Sequence, residues 1–252
     1  MDRIRLVLSD IDGCICSETY DLKVISQIRR YCEKAQKDPK LARFAFVTGR
    51  GSDFVECLSK MLNAFTPEDF PSIVENGAFL FKPKSRVLIP HPVALENEQL
   101  VTTIKSEVLR LVEAGIARRI RSKEVVISLL PYNSTMNTEE LAKIVKRSIT
   151  PEVLEKIFVT YSTTAVDITP KGVDKGSCLK FLCKVTQIPA SQVLCIGDSD
   201  GDIPILKIAG IPACPNNATI KVKNIVAKRK GYIAEKCFEI GVVEILRHFD
   251  IT

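Results

Sequence analysis

Two short apolar runs, Ile4 to Leu8 and Gln192 to Ile196, each lead into acidic residues. Asp10-Ile11-Asp12-Gly13 follows the first, and Gly197-Asp198-Ser199-Asp200-Gly201-Asp202 the second. Carboxylates gathered in one place repel unless a cation sits among them, and hard oxygen donors with few His or thiolates select Mg²⁺. A carboxylate near such an ion can attack phosphorus, and a second one two residues on can protonate the leaving oxygen and later activate water. Asp10 and Asp12 have that spacing, and Gly13 permits a tight turn beside them. Asp198 is a candidate metal ligand, and Asp202 a second ligand or an orienting group. Thr48 offers a hydroxyl and a backbone N–H to a phosphoryl oxygen, and Lys175, near a helix start, offers a cation.

These residues act together only if the chain between them folds as an open parallel sheet, where ligands bind at the carboxyl ends of the strands. The pattern supports that. Residues 4–9 read as a buried strand, 22–37 as a helix with Leu22, Ile25 and Ile28 on one face, and Phe44 to Val47 as a second strand. Ser52 or Asp53 is expected to cap the next helix, which carries Phe54, Val55, Leu58, Met61 and Leu62. Ser72 to Gly77 reads as a third strand ending in a turn. This βαβαβ order predicts right-handed crossovers. The pattern then changes to a loop-like stretch through Pro83, Pro90, His91 and Pro92. A helix near 97–114, a strand from Glu124 to Leu130, a helix near 138–148 and a hairpin turning at Ser162-Thr163-Thr164 follow. From Thr169 alternation resumes, with helices at 174–186, 202–209 and 217–226 and strands at 192–197 and 211–214. The expected fold class is α/β. A doubly wound, Rossmann-like parallel sheet built from residues 1–82 and 169–252 is interrupted by an α+β cap of residues 83–168 that carries substrate specificity.

Composition narrows the class. The chain has 252 residues, 46% of them hydrophobic and 26% charged, enough for a proper core. No apolar stretch approaches the roughly 20 residues that span a bilayer, and the N-terminal residues lack a signal-peptide pattern, so a cytoplasmic protein without a membrane partner is expected. The net charge of +6 gathers partly at Arg118, Arg119, Arg121 and Lys123 and from Lys221 to Lys230. Aromatic residues are 6% with no Trp, so no stacking platform for nucleic acid is interleaved with these cations. They read as solvated faces, with a weaker alternative in which the first cluster greets an anionic substrate. Nine cysteines are expected to be reduced thiols. Cys14-Ile15-Cys16 reads as neighbouring loop residues rather than a metal or redox pair.

The ordered set Asp10-Ile11-Asp12-Gly13, Thr48-Gly49-Arg50, Lys175 and Gly197 to Asp202 resembles the haloacid dehalogenase superfamily of phosphatases over essentially the whole chain. The resemblance implies Asp10 as nucleophile through an aspartyl-phosphate and Asp12 as general acid/base. It implies that Thr48, Gly49 and Lys175 hold the phosphoryl group. It implies Mg²⁺ on Asp10, Asp198 and Asp202, with the Asp12 carbonyl. The insert between Thr48 and Lys175, with Glu75-Asn76-Gly77-Ala78 before it, looks like the branch with a large α+β cap. The implied substrate is a small phosphorylated metabolite, phosphoglycolate or a sugar phosphate. Arg50 either reaches substrate or sits at a helix start, and Asn217 either lines the site or caps a helix. Cys14 and Gly201 stand where this branch often has Thr and Asn. A phosphosugar mutase and a non-catalytic metabolite-binding protein remain as alternatives, and monomer and homodimer are both open.

Overall fold

The structure, a computed structural model, describes residues 3–17, 19–162 and 165–251. Thr163 and Thr164, part of the expected hairpin turn, lie outside the described residues. The chain opens with β1 (Leu6–Ser9), α1 (Leu22–Lys37), β2 (Arg43–Phe46), α2 (Ser52–Leu62), β3 (Ser72–Val74), β4 (Phe79–Lys82) and β5 (Val87–Pro90). Next come α3 (Pro92–Glu96), α4 (Glu98–Glu113), β6 (Ala117–Arg119), β7 (Ile127–Pro131), α5 (Thr138–Ser148), α6 (Pro151–Leu154), β8 (Ile157–Tyr161) and β9 (Val166–Pro170). It closes with α7 (Lys175–Thr186), β10 (Val193–Ile196), α8 (Ile203–Leu206), β11 (Ile211–Cys214), α9 (Ile220–Lys228), β12 (Tyr232–Ile233) and α10 (Phe238–His248). Two compact units result: residues 1–89 with 174–252, and residues 90–173.

The first unit is a parallel sheet in the order β12-β11-β10-β1-β2. Its strands are mainly apolar, with Ser9 and Arg43 as buried exceptions, because both faces are covered. Successive side chains point to opposite faces. Val7, Phe44, Phe46, Leu194 and Ile196 therefore pack with Ile25, Ile28, Leu58 and Val242 of α1, α2 and α10. Leu6, Leu8, Ala45, Val193 and Cys195 pack with Leu179, Leu182, Leu206 and Val222 of α7, α8 and α9. The sheet is thus doubly wound, and the chain leaves β1 in one direction along the sheet and enters β10 on its other side. That reversal makes the carboxyl ends of β1 and β10 the topological switch point, where ligands of such sheets bind.

The expected third parallel strand takes a different course. β3 is tied to the parallel sheet by the isolated bridge Val47↔Ile73 and by Ser72 Oγ accepting from Phe46 N at 3.1 Å, rather than by a strand ladder. Glu75, Asn76 and Gly77 have φ of 48°, 53° and 102°, and this left-handed run returns the chain as β4, antiparallel to β3. The Asn-Gly dipeptide carries that turn. The helix α2 begins without a side-chain cap: Gly51 occupies the cap position, and neither Ser52 nor Asp53 serves there.

The second unit is a four-stranded antiparallel sheet in the order β6-β7-β9-β8. The helices α4 and α5 pack on it through Ile104, Val108, Leu141 and Val145. Two expectations change here. Residues 92–96, read as loop, form α3, with Pro92 in its first turn and the His91 side chain accepting from Val93 N. The basic stretch from Arg118, read as a helix end and loop, contains β6. Lys123 is buried rather than solvated, its Nζ donating to Ser128 Oγ at 2.6 Å and facing Asp167 Oδ1 at 3.4 Å. A three-residue strand is too short for alternation to reveal it, and the two acceptors lie five and 44 residues away in sequence. No helix among the described residues is long and apolar enough to cross a membrane.

Candidate active site

Strand register brings the dispersed motifs together. Ser9 pairs with Ile196 on one side and Phe46 on the other, so all three strands end level. Asp10 leaves β1 with its N–H bonded to Ile196 O at 2.9 Å, Asp198 follows β10 by two residues, and Thr48 follows β2 by two. Carboxylate oxygens of Asp10, Asp198 and Asp202 lie within 4.8 Å of one another. Into this group α7 delivers its first residue. Asp174 caps α7 by accepting from Gly176 N and Ser177 N at 2.7 and 2.9 Å, a contact that contributes about 1 kcal/mol in comparable helices. Lys175 is thereby fixed at the helix start, with Nζ donating to Asp10 Oδ2 at 2.9 Å and Asp202 Oδ1 at 2.6 Å. Gly176 is required because a Cβ would lie 2.6 Å from Pro204 O.

Burial and charge govern this cluster. Lys175 is 4% exposed; burial opposes its charge, but the Asp10 and Asp202 carboxylates outweigh burial and hold it cationic. Asp10 is pushed well up, first by burial, then by the Asp202 charge. Asp198 is pushed up to about 7, again by burial and then Asp202. Three carboxylates facing one ammonium leave negative charge unbalanced, and the donors are all hard oxygens. Both properties fit a divalent, oxygen-loving cation such as Mg²⁺. Gly13 leaves room for this arrangement: its φ is +78°, and a Cβ there would fall 2.1 Å from Asp198 Oδ2.

A pH dependence follows. An unfolded Asp titrates near 3.9. Between about pH 4 and 7 the metal-free native state therefore keeps a proton on Asp198 that the unfolded chain has lost. The associated stability is fully present below pH 4 and lost as pH rises through 7, amounting to the order of 4 kcal/mol. Thermal melts in EDTA should fall as pH rises from 5 to 8, and Mg²⁺ should flatten the fall because it favours the ionised carboxylates. A gap between EDTA and Mg²⁺ melts that stays constant with pH would contradict this account.

Asp202 is fully buried, and its Oδ2 accepts from Asp198 N, Ser199 N and Ser199 Oγ at 3.0–3.1 Å. With Lys175 on its other oxygen, it shapes the loop that presents Asp198. The Asp12 carboxylate lies outside the cluster and takes a two-pronged contact from Arg50. Thr48 is fully buried, and its N–H is already bonded to Ile73 O at 2.9 Å, so of the two groups expected to serve a phosphoryl oxygen only the hydroxyl is available. That hydroxyl accepts from Arg50 N at 3.1 Å and keeps its own proton to donate. At Gly49 a Cβ would lie 2.7 Å from Asn76 Oδ1, so a side chain there would displace the Asn76 amide. Asn217 does not cap α9; Thr219 does. Instead Asn217 Nδ2 donates to Gly13 O at 2.8 Å, and its Oδ1 accepts from Phe238 N at 2.7 Å, tying the loop after β1 to α10. Asp200 faces away and pairs with Lys221 at 2.6 Å.

Three further residues lie near the site through contacts that the sequence did not reveal. Asn76 packs against Gly49, where the sequence offered only the Asn-Gly turn and the segment Glu75-Asn76-Gly77-Ala78 before the insert. Ser199 binds Asp202, a contact implied only by the i, i+3 spacing of a capping box. Cys14 is fully buried with Sγ 3.9 Å from Asp198 Oδ1, and burial, reinforced by Asp198, pushes its thiol well up. Cys14 and Cys16 are both free thiols, and neither belongs to the carboxylate cluster. At Gly201 a Cβ would meet only Ser199 Oγ, at 3.6 Å.

Comparison with known proteins places these features in context. The haloacid dehalogenase-like hydrolase family matches residues 116–246. A phosphoglycolate phosphatase of Methanopyrus kandleri is 28% identical over 230 residues, 87% of this chain and 88% of that one. A solved structure of a Thermoplasma acidophilum protein superposes with a TM-score of 0.74 at 19% identity, covering 99% of this chain and all of its own. The Synechocystis sucrose-phosphatase, solved with sucrose and phosphate, covers 98% of both chains at 19% identity with a TM-score of 0.67. At these identities the two structures speak to the fold.

Proposed function

The chain belongs to the haloacid dehalogenase-like hydrolases, and on that premise we propose that it is a Mg²⁺-dependent phosphatase of small phosphorylated metabolites, phosphoglycolate or a sugar phosphate. The observation that carries this reading is the buried Lys175 ammonium held between Asp10 and Asp202 beside Asp198, at the switch point of a doubly wound sheet. Its relatives' names support the reaction class.

In this reading a carboxylate oxygen of Asp10 attacks phosphorus, the bond from phosphorus to the leaving oxygen breaks, and Asp12 gives that oxygen a proton. Water then attacks the aspartyl-phosphate, its proton passes to Asp12, and Asp10 is regenerated with release of phosphate. Lys175, the Thr48 hydroxyl and Gly49 hold the phosphoryl oxygens, whose added charge the ammonium is positioned to balance. Asp10, Asp198 and the Asp12 carbonyl would hold Mg²⁺, with Asp202 orienting them. When bound, the ion supplies charge neutralisation for the transferring phosphoryl group. Residues 90–173 would act as the specificity cap, and the protein would work in the cytoplasm, where its nine cysteines stay reduced.

The direct test is p-nitrophenyl phosphate hydrolysis with Mg²⁺ and with EDTA. Turnover that EDTA removes and Mg²⁺ restores is expected. A folded protein that melts higher with Mg²⁺ but turns over no phosphomonoester would overturn the reading in favour of a binding role.

A further inference from the structure

We infer that Arg50 recognises a carboxylate on the substrate's leaving group by exchanging partners with Asp12. The inference rests on the phosphatase reading above and deepens it. Arg50 Nε donates to Asp12 Oδ2 at 2.7 Å and Nη2 donates to Oδ1 at 2.5 Å, so the guanidinium fork occupies both oxygens of the proposed acid/base. In that state both Asp12 oxygens accept from the guanidinium, and opening the fork frees a carboxylate edge for the leaving group.

The structure makes opening inexpensive. The two side chains are 42% and 54% exposed, and ion pairs of that kind contribute about 1 kcal/mol or less. The Arg50 backbone, in contrast, is anchored: its N–H bonds to Thr48 Oγ1 at 3.1 Å and its carbonyl accepts from Glu75 N at 3.0 Å. The Phe54 ring supports the guanidinium from one side, 4.1 Å away. The head group can therefore change partner while its stem stays in register with Thr48.

What replaces Asp12 must match it. A planar fork selects a planar anion with two oxygens, which is a carboxylate. In the phosphate ester of a short α-hydroxy acid, the carboxylate lies two bonds beyond the leaving oxygen, the atom Asp12 has to reach. Seating the phosphoryl group at Lys175 would then bring that carboxylate beside Arg50, which would accept it and release Asp12. A sugar hydroxyl carries neither the charge nor the second in-plane oxygen and would leave the fork closed. The favoured substrates are accordingly short phosphorylated hydroxy acids rather than sugar phosphates.

The experiment compares kcat/KM for 2-phosphoglycolate with that for 2-hydroxyethyl phosphate, which replaces the carboxylate by a hydroxymethyl group. The proteins are wild type, Arg50→Gln and Arg50→Lys. Wild type should prefer the carboxylate by about 100-fold, the range expected for a charge pair that the bound substrate itself shuts off from water. Arg50→Gln should bring the ratio to within about 5-fold, and Arg50→Lys should recover part of it, since an ammonium keeps the charge but loses the fork. Absence of a preference in active wild type overturns this inference and leaves the phosphatase reading standing. So does a loss by the same factor on both esters in Arg50→Gln, which would mean that Arg50 only holds Asp12. Hydrolysis of neither ester by Mg²⁺-loaded wild type that turns over p-nitrophenyl phosphate overturns the inference alone; turnover of none of the three overturns the phosphatase reading and the inference with it.

Discussion

Replacing Asp10 by Asn should lower kcat by about 10⁴-fold or more while leaving the protein folded. The two oxygens of Asp10 have separate tasks. Oδ1 accepts from Ile11 N at 2.8 Å, which holds the turn after β1, and Oδ2 accepts from Lys175 Nζ at 2.9 Å. An Asn keeps the first contact with its carbonyl oxygen but presents an amide nitrogen, a poor nucleophile, to the ammonium. The far-UV spectrum should match wild type, because the β1 backbone is held by pairing to β2 and β10 and not by this side chain. Stabilisation by Mg²⁺ should weaken without vanishing, since Asp198 remains. Substantial turnover by the Asn variant would remove Asp10 as the nucleophile.

Lys175→Met should have the largest effect on stability. It leaves Asp10, Asp198 and Asp202 facing one another with no buried cation, and Asp202 is fully buried. Removing one partner of a buried pair costs about 3–5 kcal/mol, and for a chain of this size that corresponds to roughly 10 °C in Tm at pH 8 without metal. The direction of the pH dependence is set by the carboxylates. Burial and mutual repulsion already push Asp10 and Asp198 up, so lowering the pH protonates them in the native state and removes the repulsion. The gap between variant and wild type should therefore narrow from pH 8 to pH 5, and phosphatase activity should be lost throughout. Melting of the variant within about 2 °C of wild type at pH 8 would show that Lys175 is not the counter-charge of the cluster.

Both effects concern residues whose types and order were legible without coordinates. Asp10, Thr48, Lys175 and Asp198 stood at the ends of apolar or capped segments, and an open parallel sheet gathers such ends at one edge. Alternation of strand and helix signals was enough for the doubly wound core, because strands buried on both faces read as continuous apolar runs. That reasoning failed where contacts are non-local or elements short. The carboxylate of Asp12 turned to Arg50, 38 residues away, rather than into the cluster. The Thr48 N–H was consumed by pairing to Ile73, so one expected donor disappeared. The reading of Asn217 as a helix cap gave way to a bond with Gly13 O, 204 residues distant.

The sequence by itself determined the fold class, the set of acidic and basic groups and the edge at which they meet. Periodicity, turn residues and charge type are local properties that survive without coordinates. Tertiary structure alone decided which oxygen faces which cation and which glycine must lack a side chain. It also turned Asp202 toward loop and lysine, and closed the guanidinium fork of Arg50 on Asp12. These are choices of rotamer and register, and they depend on packing distances between segments whose separation along the chain carries no information about their separation in space.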